Sequence, residues 1–171
     1  MIVIADGGAT KCDWAFVEGG EIVERFKMEG INPFSVPEEH IREIVERDFV
    51  PVASRYEISH IWFYGAGCGF GGAIIKRILS DIFPSTEVFV GSDIDGAAKA
   101  CCPNGEGIVC ILGTGVSSMQ IEKGECTKRL PGPGYILGDE GSGTVMGRML
   151  LSDFIYNQLP PHLHKLFTEE F

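Results

Sequence analysis

The chain has 171 residues, enough for one ordinary domain or two small ones. With 44% hydrophobic and 22% charged residues it is globular in composition, not disordered. Its net charge of −10 argues against a nucleic-acid surface, which needs a basic stripe. It leaves nucleotide binding open, because a local lysine, backbone donors and Mg²⁺ can outweigh the global field.

Residues 1–5 (MIVIA) form a short apolar run suited to a buried strand. Asp6-Gly7-Gly8-Ala9-Thr10-Lys11 follows, and residues 12–17 resume strand-like alternation. Residues 21–29 read as a third strand, and Gly30-Ile31-Asn32-Pro33 as a loop. From Pro37 the apolar spacing becomes helical through Ile41, Ile44, Val45, Phe49 and Val52, with Pro51 expected to end or kink the helix. A fourth strand (60–64, HIWFY) leads into Gly65-Ala66-Gly67 and a helix through Ile74 to Ile82. A fifth strand (87–90) ends in Gly91-Ser92-Asp93-Ile94-Asp95-Gly96, and residues 97–102 read as a short helix. The first ~100 residues are therefore α/β with a mixed sheet.

Asn104-Gly105-Glu106-Gly107 is the best boundary, giving domains 1–103 and 104–171. The pattern then restarts: strand 108–112, a Gly113-Thr114-Gly115 turn, strand 116–122, a third strand up to Leu130, the loop Pro131-Gly132-Pro133-Gly134, and Gly138-Asp139-Glu140-Gly141-Ser142-Gly143 opening a helix. Two such openings make a repeat of pattern, and the shorter second half is expected to be a truncated domain ending at Phe171. Residues 1–15 lack a basic signal-peptide region, and no apolar run reaches the ~20 residues of a membrane span. The six cysteines show no C-x-x-C spacing, which fits reduced thiols and a cytoplasmic location with no membrane partner.

The chemistry-bearing residues each have two readings. The turn at residues 6–11 is a phosphate loop, with Asp6 holding Mg²⁺ through water, or a hairpin whose glycines supply positive φ. Gly67, Gly69 and Gly72 satisfy a dinucleotide fingerprint, although after the fourth strand instead of the first. Asp93 is a general base at a strand end or a helix N-cap, with Asp95 the weaker candidate for either role. Thr114 binds phosphate or sits in a hairpin. Asn32 binds a polar substrate or shapes a turn. Asp139 is a cleft acid or a carboxylate complementing a helix dipole.

Taken in order, Asp6-Gly7-Gly8-Ala9-Thr10-Lys11, Gly30-Ile31-Asn32-Pro33, Tyr64-Gly65-Ala66-Gly67, Asp93 with Gly96-Ala97-Ala98, Leu112-Gly113-Thr114-Gly115 and Gly138-Asp139-Glu140-Gly141-Ser142-Gly143 closely resemble the BadF/BadG/BcrA/BcrD-type ATPase family, which includes N-acetylglucosamine kinases. The resemblance covers the chain to about Leu151. It implies a ribonuclease-H-like (actin-like ATPase) domain with a mixed five-stranded sheet, and an incomplete second domain of the same type. It further implies ATP and Mg²⁺ as cofactors and an amino sugar as substrate, with a homodimer compatible with the family. Asp6 would be the Mg²⁺-side carboxylate, Gly8, Thr10 and Lys11 the first phosphate loop, and Gly113, Thr114 and Gly115 the second. Asp93 would be the base, and Asn32, Gly132, Gly134 and Asp139 would hold the sugar. The chain departs from the sugar kinases in carrying Val116-Ser117 after the second loop, where they have Ser-Asn. The competing functions are an ATPase that drives a partner protein and a non-catalytic nucleotide-binding domain.

Overall fold

The computed structural model describes residues 1–130 and 132–170. Pro131, of the expected 131–134 loop, and Phe171, the expected chain end, lie outside the described residues. The chain divides into two compact units, residues 1–100 and the residues from Cys101 onward.

In the first unit, β1 (Ile2–Gly7), β2 (Lys11–Glu18) and β3 (Glu21–Glu29) form an antiparallel meander. β4 (His60–Gly65) then lies parallel to β1, and β5 (Glu87–Ser92) parallel to β4. The strand order β3-β2-β1-β4-β5 is the ribonuclease-H-like mixed sheet. Alternation along β1 and β2 turns Val3, Ala5, Cys12, Trp14 and Phe16 to one face, all of them buried. The crossover helices cover that face with Ile41, Ile44, Val45 and Phe49, and with Ile75, Ile78 and Leu79. Trp14 stacks on Phe49 at a centroid distance of 4.0 Å, which locks the meander to the first crossover.

That first crossover differs from expectation. α1 (Glu38–Ile44) begins one residue after Pro37, which is its N-cap. Pro51 does not end the helix. A π-helical turn, Val45–Phe49, runs into α2 (Val50–Ala53), with Pro51 in the first turn of α2. The Val50 N–H donates to the carbonyl of Val45, five residues back. The wider turn places the proline where a missing N–H and a bulky ring are tolerated. α3 (Cys68–Ile82) joins β4 to β5 as expected. α4 spans Asp93–Cys101, so it starts four residues before the expected 97–102 helix and takes in Asp93 and Asp95.

The second unit holds an antiparallel meander of β6 (Gly107–Leu112), β7 (Val116–Glu122) and β8 (Glu125–Leu130), then α5 (Gly143–Ile155) and α6 (Pro161–Glu170). The repeat of pattern is a repeat of geometry. Both meanders turn between their second and third strands on two residues with positive φ, Gly19-Gly20 (60° and 87°) and Lys123-Gly124 (54° and 80°). This is the two-residue hairpin turn whose twist matches that of the strands. The buried apolar side chains of this unit are only Val109, Met119, Ile121 and Val145 among the described residues. No helix among the described residues is long and apolar enough to cross a membrane.

Candidate active site

The open end of the first sheet gathers the chemistry. Asp6 is paired in register with Asp13 on β2 and with Tyr64 on β4, and Tyr64 is paired with Gly91 on β5. One row of the ladder thus runs from Asp13 through Asp6 and Tyr64 to the start of the turn into α4. By strand alternation Asp6 points away from the buried core face.

The 7–11 turn is closed by Gly8 N–H donating to the Lys11 carbonyl at 2.8 Å. It is a hairpin, but the hairpin reading of its glycines is overturned, because neither Gly7 nor Gly8 has positive φ. Lack of bulk is what the site requires there. A Cβ on Gly7 would lie 2.4 Å from Phe63 Cζ, and one on Gly8 would lie 3.0 Å from the Lys11 carbonyl oxygen. Thr10 is exposed at the tip, and Lys11 Nζ lies 3.5 Å from Asp13 Oδ2. Lys27 Nζ lies 3.1 Å from Asp13 Oδ1, and this bond, ahead of the cationic charges, holds the Asp13 carboxyl below its ordinary value. Asp13 therefore stays ionised beside Asp6. Burial first, then the charges of Asp13 and Asp93, push the Asp6 carboxyl above its ordinary value, with Lys11 opposing. Carboxylates that crowd one another in this way favour a bound cation.

Asp93 is not the helix cap. Ser92 Oγ donates to Asp95 Oδ2 at 2.5 Å, Ser92 N–H donates to the same oxygen at 3.0 Å, and Asp95 N–H donates back to Ser92 Oγ at 3.4 Å. That reciprocal pair is a capping box, with Ser92 before the helix and Asp95 in its first turn. Among the described residues Asp93 Oδ1 accepts one hydrogen bond, from the Ile94 N–H at 2.9 Å. The carboxylate expected as the weaker candidate closes the box, and the expected base takes no part in it.

Asn32 shapes a turn, as one of its two readings expects. Its Oδ1 accepts the Phe34 N–H at 2.9 Å, shaping the turn. The same oxygen would lie 2.4 Å from a Cβ on Gly67, the left-handed N-cap of α3. Gly30 lies against Ala9, where a Cβ would meet the Ala9 carbonyl at 2.5 Å, so the Asn32 loop abuts the 7–11 turn. The glycines of the dinucleotide-like pattern are used in packing. Gly67 sits against Asn32, and a Cβ on Gly72 would lie 3.1 Å from Val90 Cγ1.

The second unit builds its own cluster. Gly113 N–H donates to the Gly115 carbonyl at 3.0 Å, and the carbonyls of Gly113 and Thr114 accept from Gly143 N–H and Thr144 Oγ1 at 2.8 and 2.7 Å. The 113–115 turn is thereby fixed to the start of α5, whose N-cap Ser142 accepts the Val145 N–H at 3.2 Å. Asp139 precedes that cap by three residues, so it does not sit in the helix's first turn. It is 9% exposed, with φ of 64°. Its carboxylate lies between Gly115 and Gly132, and Oδ1 has no hydrogen-bond partner among the described residues. Gly134 belongs to a separate turn, its carbonyl accepting from Leu137 and Gly138. Sequence reasoning passed over Asp13, Ser92 and the packing role of Tyr64. The Ser-x-x-Asp spacing of Ser92 and Asp95 is the one signal that would have found the cap.

No protein-family model and no curated protein sequence matches the chain. Among solved structures, a protein of Porphyromonas gingivalis named as a putative N-acetylglucosamine kinase is 37% identical with a TM-score of 0.92, over 99% of this chain and 62% of that one. The chain has an actin-like ATPase fold and is similar to that protein over nearly its whole length. A Chromobacterium violaceum protein of the same description (17% identity, TM-score 0.60, 90% of this chain and 56% of that one) shares the fold. So does the ethanolamine utilization protein EutJ of Carboxydothermus hydrogenoformans (19%, 0.56, 96% and 59%). The chain thus spans less than two thirds of the length of each of these relatives.

Proposed function

We propose that the chain is part of an ATP-dependent kinase that phosphorylates a hydroxyl of an amino sugar, N-acetylglucosamine being the first candidate. The observation that carries this is that Ser92 and Asp95 close the cap of α4 between themselves, while Asp93 lies near enough for its charge to help raise the Asp6 carboxyl. In this reading the first unit carries a phosphate loop of Gly8, Thr10 and Lys11, and the second unit, taken by itself, carries another of Gly113, Thr114 and Gly115. Backbone N–H groups, a hydroxyl and an ammonium are the donors that phosphate requires.

Among the described residues no cluster of three or more His, Cys, Asp or Glu side chains is arranged to bind a metal. Mg²⁺ does not need one, since it keeps several waters and takes one or two carboxylates. The crowded carboxylate of Asp6 fits that demand, and Mg²⁺ held there would neutralise charge on the phosphates. In this reading Asn32 is the sugar contact of the first unit, and Gly132, Gly134 and Asp139 are those of the second unit, each unit taken by itself. The sugar hydroxyl oxygen attacks the γ-phosphorus, its proton passes to the Asp93 carboxylate, and ADP leaves. The rate comes from placement and charge neutralisation more than from covalent chemistry.

The test is ADP release from Mg-ATP by the full-length protein, with and without N-acetylglucosamine and close analogues. Sugar-stimulated release that falls ~10²–10⁴-fold in Asp93→Asn, with ATP still bound, is expected. Release indifferent to every sugar would sink the reading and turn the search to a protein partner.

A further inference from the structure

We propose that Asp95 is a positioning residue that, through Ser92 and against Tyr64, holds the first turn of α4 so that the Asp93 carboxylate stays beside Asp6. The inference rests on the role proposed for Asp93 above.

Three independent observations support it. The first is the capping box. Ser92 is only 6% exposed and closes three hydrogen bonds with Asp95, so the box is fixed where strand β5 becomes helix. The second is the seat beneath the turn. A Cβ on Gly91 would lie 3.0 Å from Tyr64 Cδ1, and one on Gly96 would lie 2.8 Å from Tyr64 Cβ and Cγ. Gly96, in the first turn of α4, therefore packs directly on Tyr64 with no room for a Cβ, and Gly91, near the end of β5, leaves little room for one. Asp95 is near enough that its charge, after burial, raises the Tyr64 phenol above its ordinary value. The third is the ladder. Tyr64 is the register partner of Asp6, so the residue that seats α4 also sets the spacing from the turn to the carboxylate on β1.

The chemistry explains why an acid is needed two residues beyond the base. A helix N-terminus leaves backbone N–H groups without partners, and a short acidic side chain will swing to take them. With Asp95 removed, Asp93, which already accepts the Ile94 N–H, is the next carboxylate in reach of the amides left open, and a base drawn further over the helix end is displaced from the substrate hydroxyl. Displacement of a reacting group by about 1 Å can cost ~10²-fold in rate.

The test measures kcat and KM in the full-length protein for Asp95→Ala, Asp95→Asn and Ser92→Ala, each alone and combined with Asp93→Asn. Asp95→Ala is expected to lower kcat ~10–100-fold while KM for ATP and sugar stays within about twofold, since uniform binding is untouched. Asp95→Asn keeps an oxygen that accepts the Ser92 N–H and is expected to recover most of the rate, because Asn caps about as well as Asp. Ser92→Ala removes one partner of the box and is expected to fall between the two. In the Asp93→Asn background none of them should matter further, because a displaced base that is already absent costs nothing more. Unchanged kcat in a folded Asp95→Ala protein overturns the inference and leaves the proposed function standing. So does a full additional loss in the Asp93→Asn background. Absence of sugar-stimulated ADP release from the unmodified protein overturns the proposed function, and this inference with it.

Discussion

Asp139 Oδ1 and the backbone of Gly132 lie so close that a Cβ on Gly132 would sit 2.4 Å from the carboxylate oxygen. The same oxygen is buried and accepts no hydrogen bond among the described residues. An orphaned buried acceptor costs about 1–3 kcal/mol, a cost that a donor on a bound ligand would relieve. Asp139→Asn keeps a side chain that tolerates the φ of 64°. We expect its melting temperature to be unchanged or higher, while sugar-dependent ADP release falls at least about tenfold. A melting temperature several degrees lower with sugar response intact would make Asp139 structural.

Gly7 has no room for a side chain, because its Cβ would lie 2.4 Å from Phe63 Cζ. Phe63 is 1% exposed and packs against Trp14 at a centroid distance of 5.7 Å. Gly7→Ala should therefore destabilise the protein by about 1–3 kcal/mol through overpacking. Phe63→Leu in the same chain shortens the obstructing ring and should recover part of that loss. Urea unfolding of the two single variants and the double variant checks this, and simple additivity would exclude the clash as the cause.

Glu24 ties β3 to the segment after α2, accepting from Tyr56 Oη and from Arg55, each at 2.5 Å. The Tyr56 bond, then the Arg55 bond, holds its carboxyl below the ordinary value. A carboxyl with a depressed pKa in the folded state stabilises above its unfolded pKa, and that stability is lost as pH falls through the folded value. Glu24→Gln should therefore lower the melting temperature slightly at pH 7, and the difference should vanish in acid. A difference that persists unchanged at pH 2 would contradict this.

The thiols should sort by environment. Cys12 and Cys68 are buried, and burial, followed by the charge of Asp93, pushes the Cys68 thiol up to about 11. Cys101, Cys110 and Cys126 are exposed. Under reducing-free native conditions a colorimetric thiol reagent should consume these three promptly and Cys102 more slowly. The remaining two should react only after denaturation. Prompt reaction of Cys68 in the native protein would show that the start of α3 opens readily.

Much of the first unit was legible because its signals are periodic. Alternation at Val3, Ala5, Trp14 and Phe16, and helical spacing at Ile41, Ile44 and Phe49, each report one buried face. What escaped was set by tertiary partners. Pro51 reads as the end of the helix or a kink in it, and the π turn before it carries the helix on. Gly7 and Gly8 read as turn residues supplying positive φ, whereas Phe63 excludes a side chain at Gly7 and the Lys11 carbonyl crowds one at Gly8. Asp93 and Asp95 are chemically alike and two residues apart, and only the hydrogen bonds of Ser92 separate their tasks. Asp139 was legible as an acid before a helix. Its burial between Gly115 and Gly132 depends on a chain return that no local pattern encodes.

The pairing of Ile2 with His60 has a further consequence, for the order of assembly. The β1–β2 and β2–β3 hairpins close over short loops and can form early. The parallel ladder that brings Tyr64 alongside Asp6 must first close a loop of more than fifty residues, and non-local pairings of that kind form late. Amides of β2 and β3 should accordingly gain protection from hydrogen exchange during refolding before those of β4. A nascent chain would then possess its glycine hairpin well before it possesses the tyrosine that faces it.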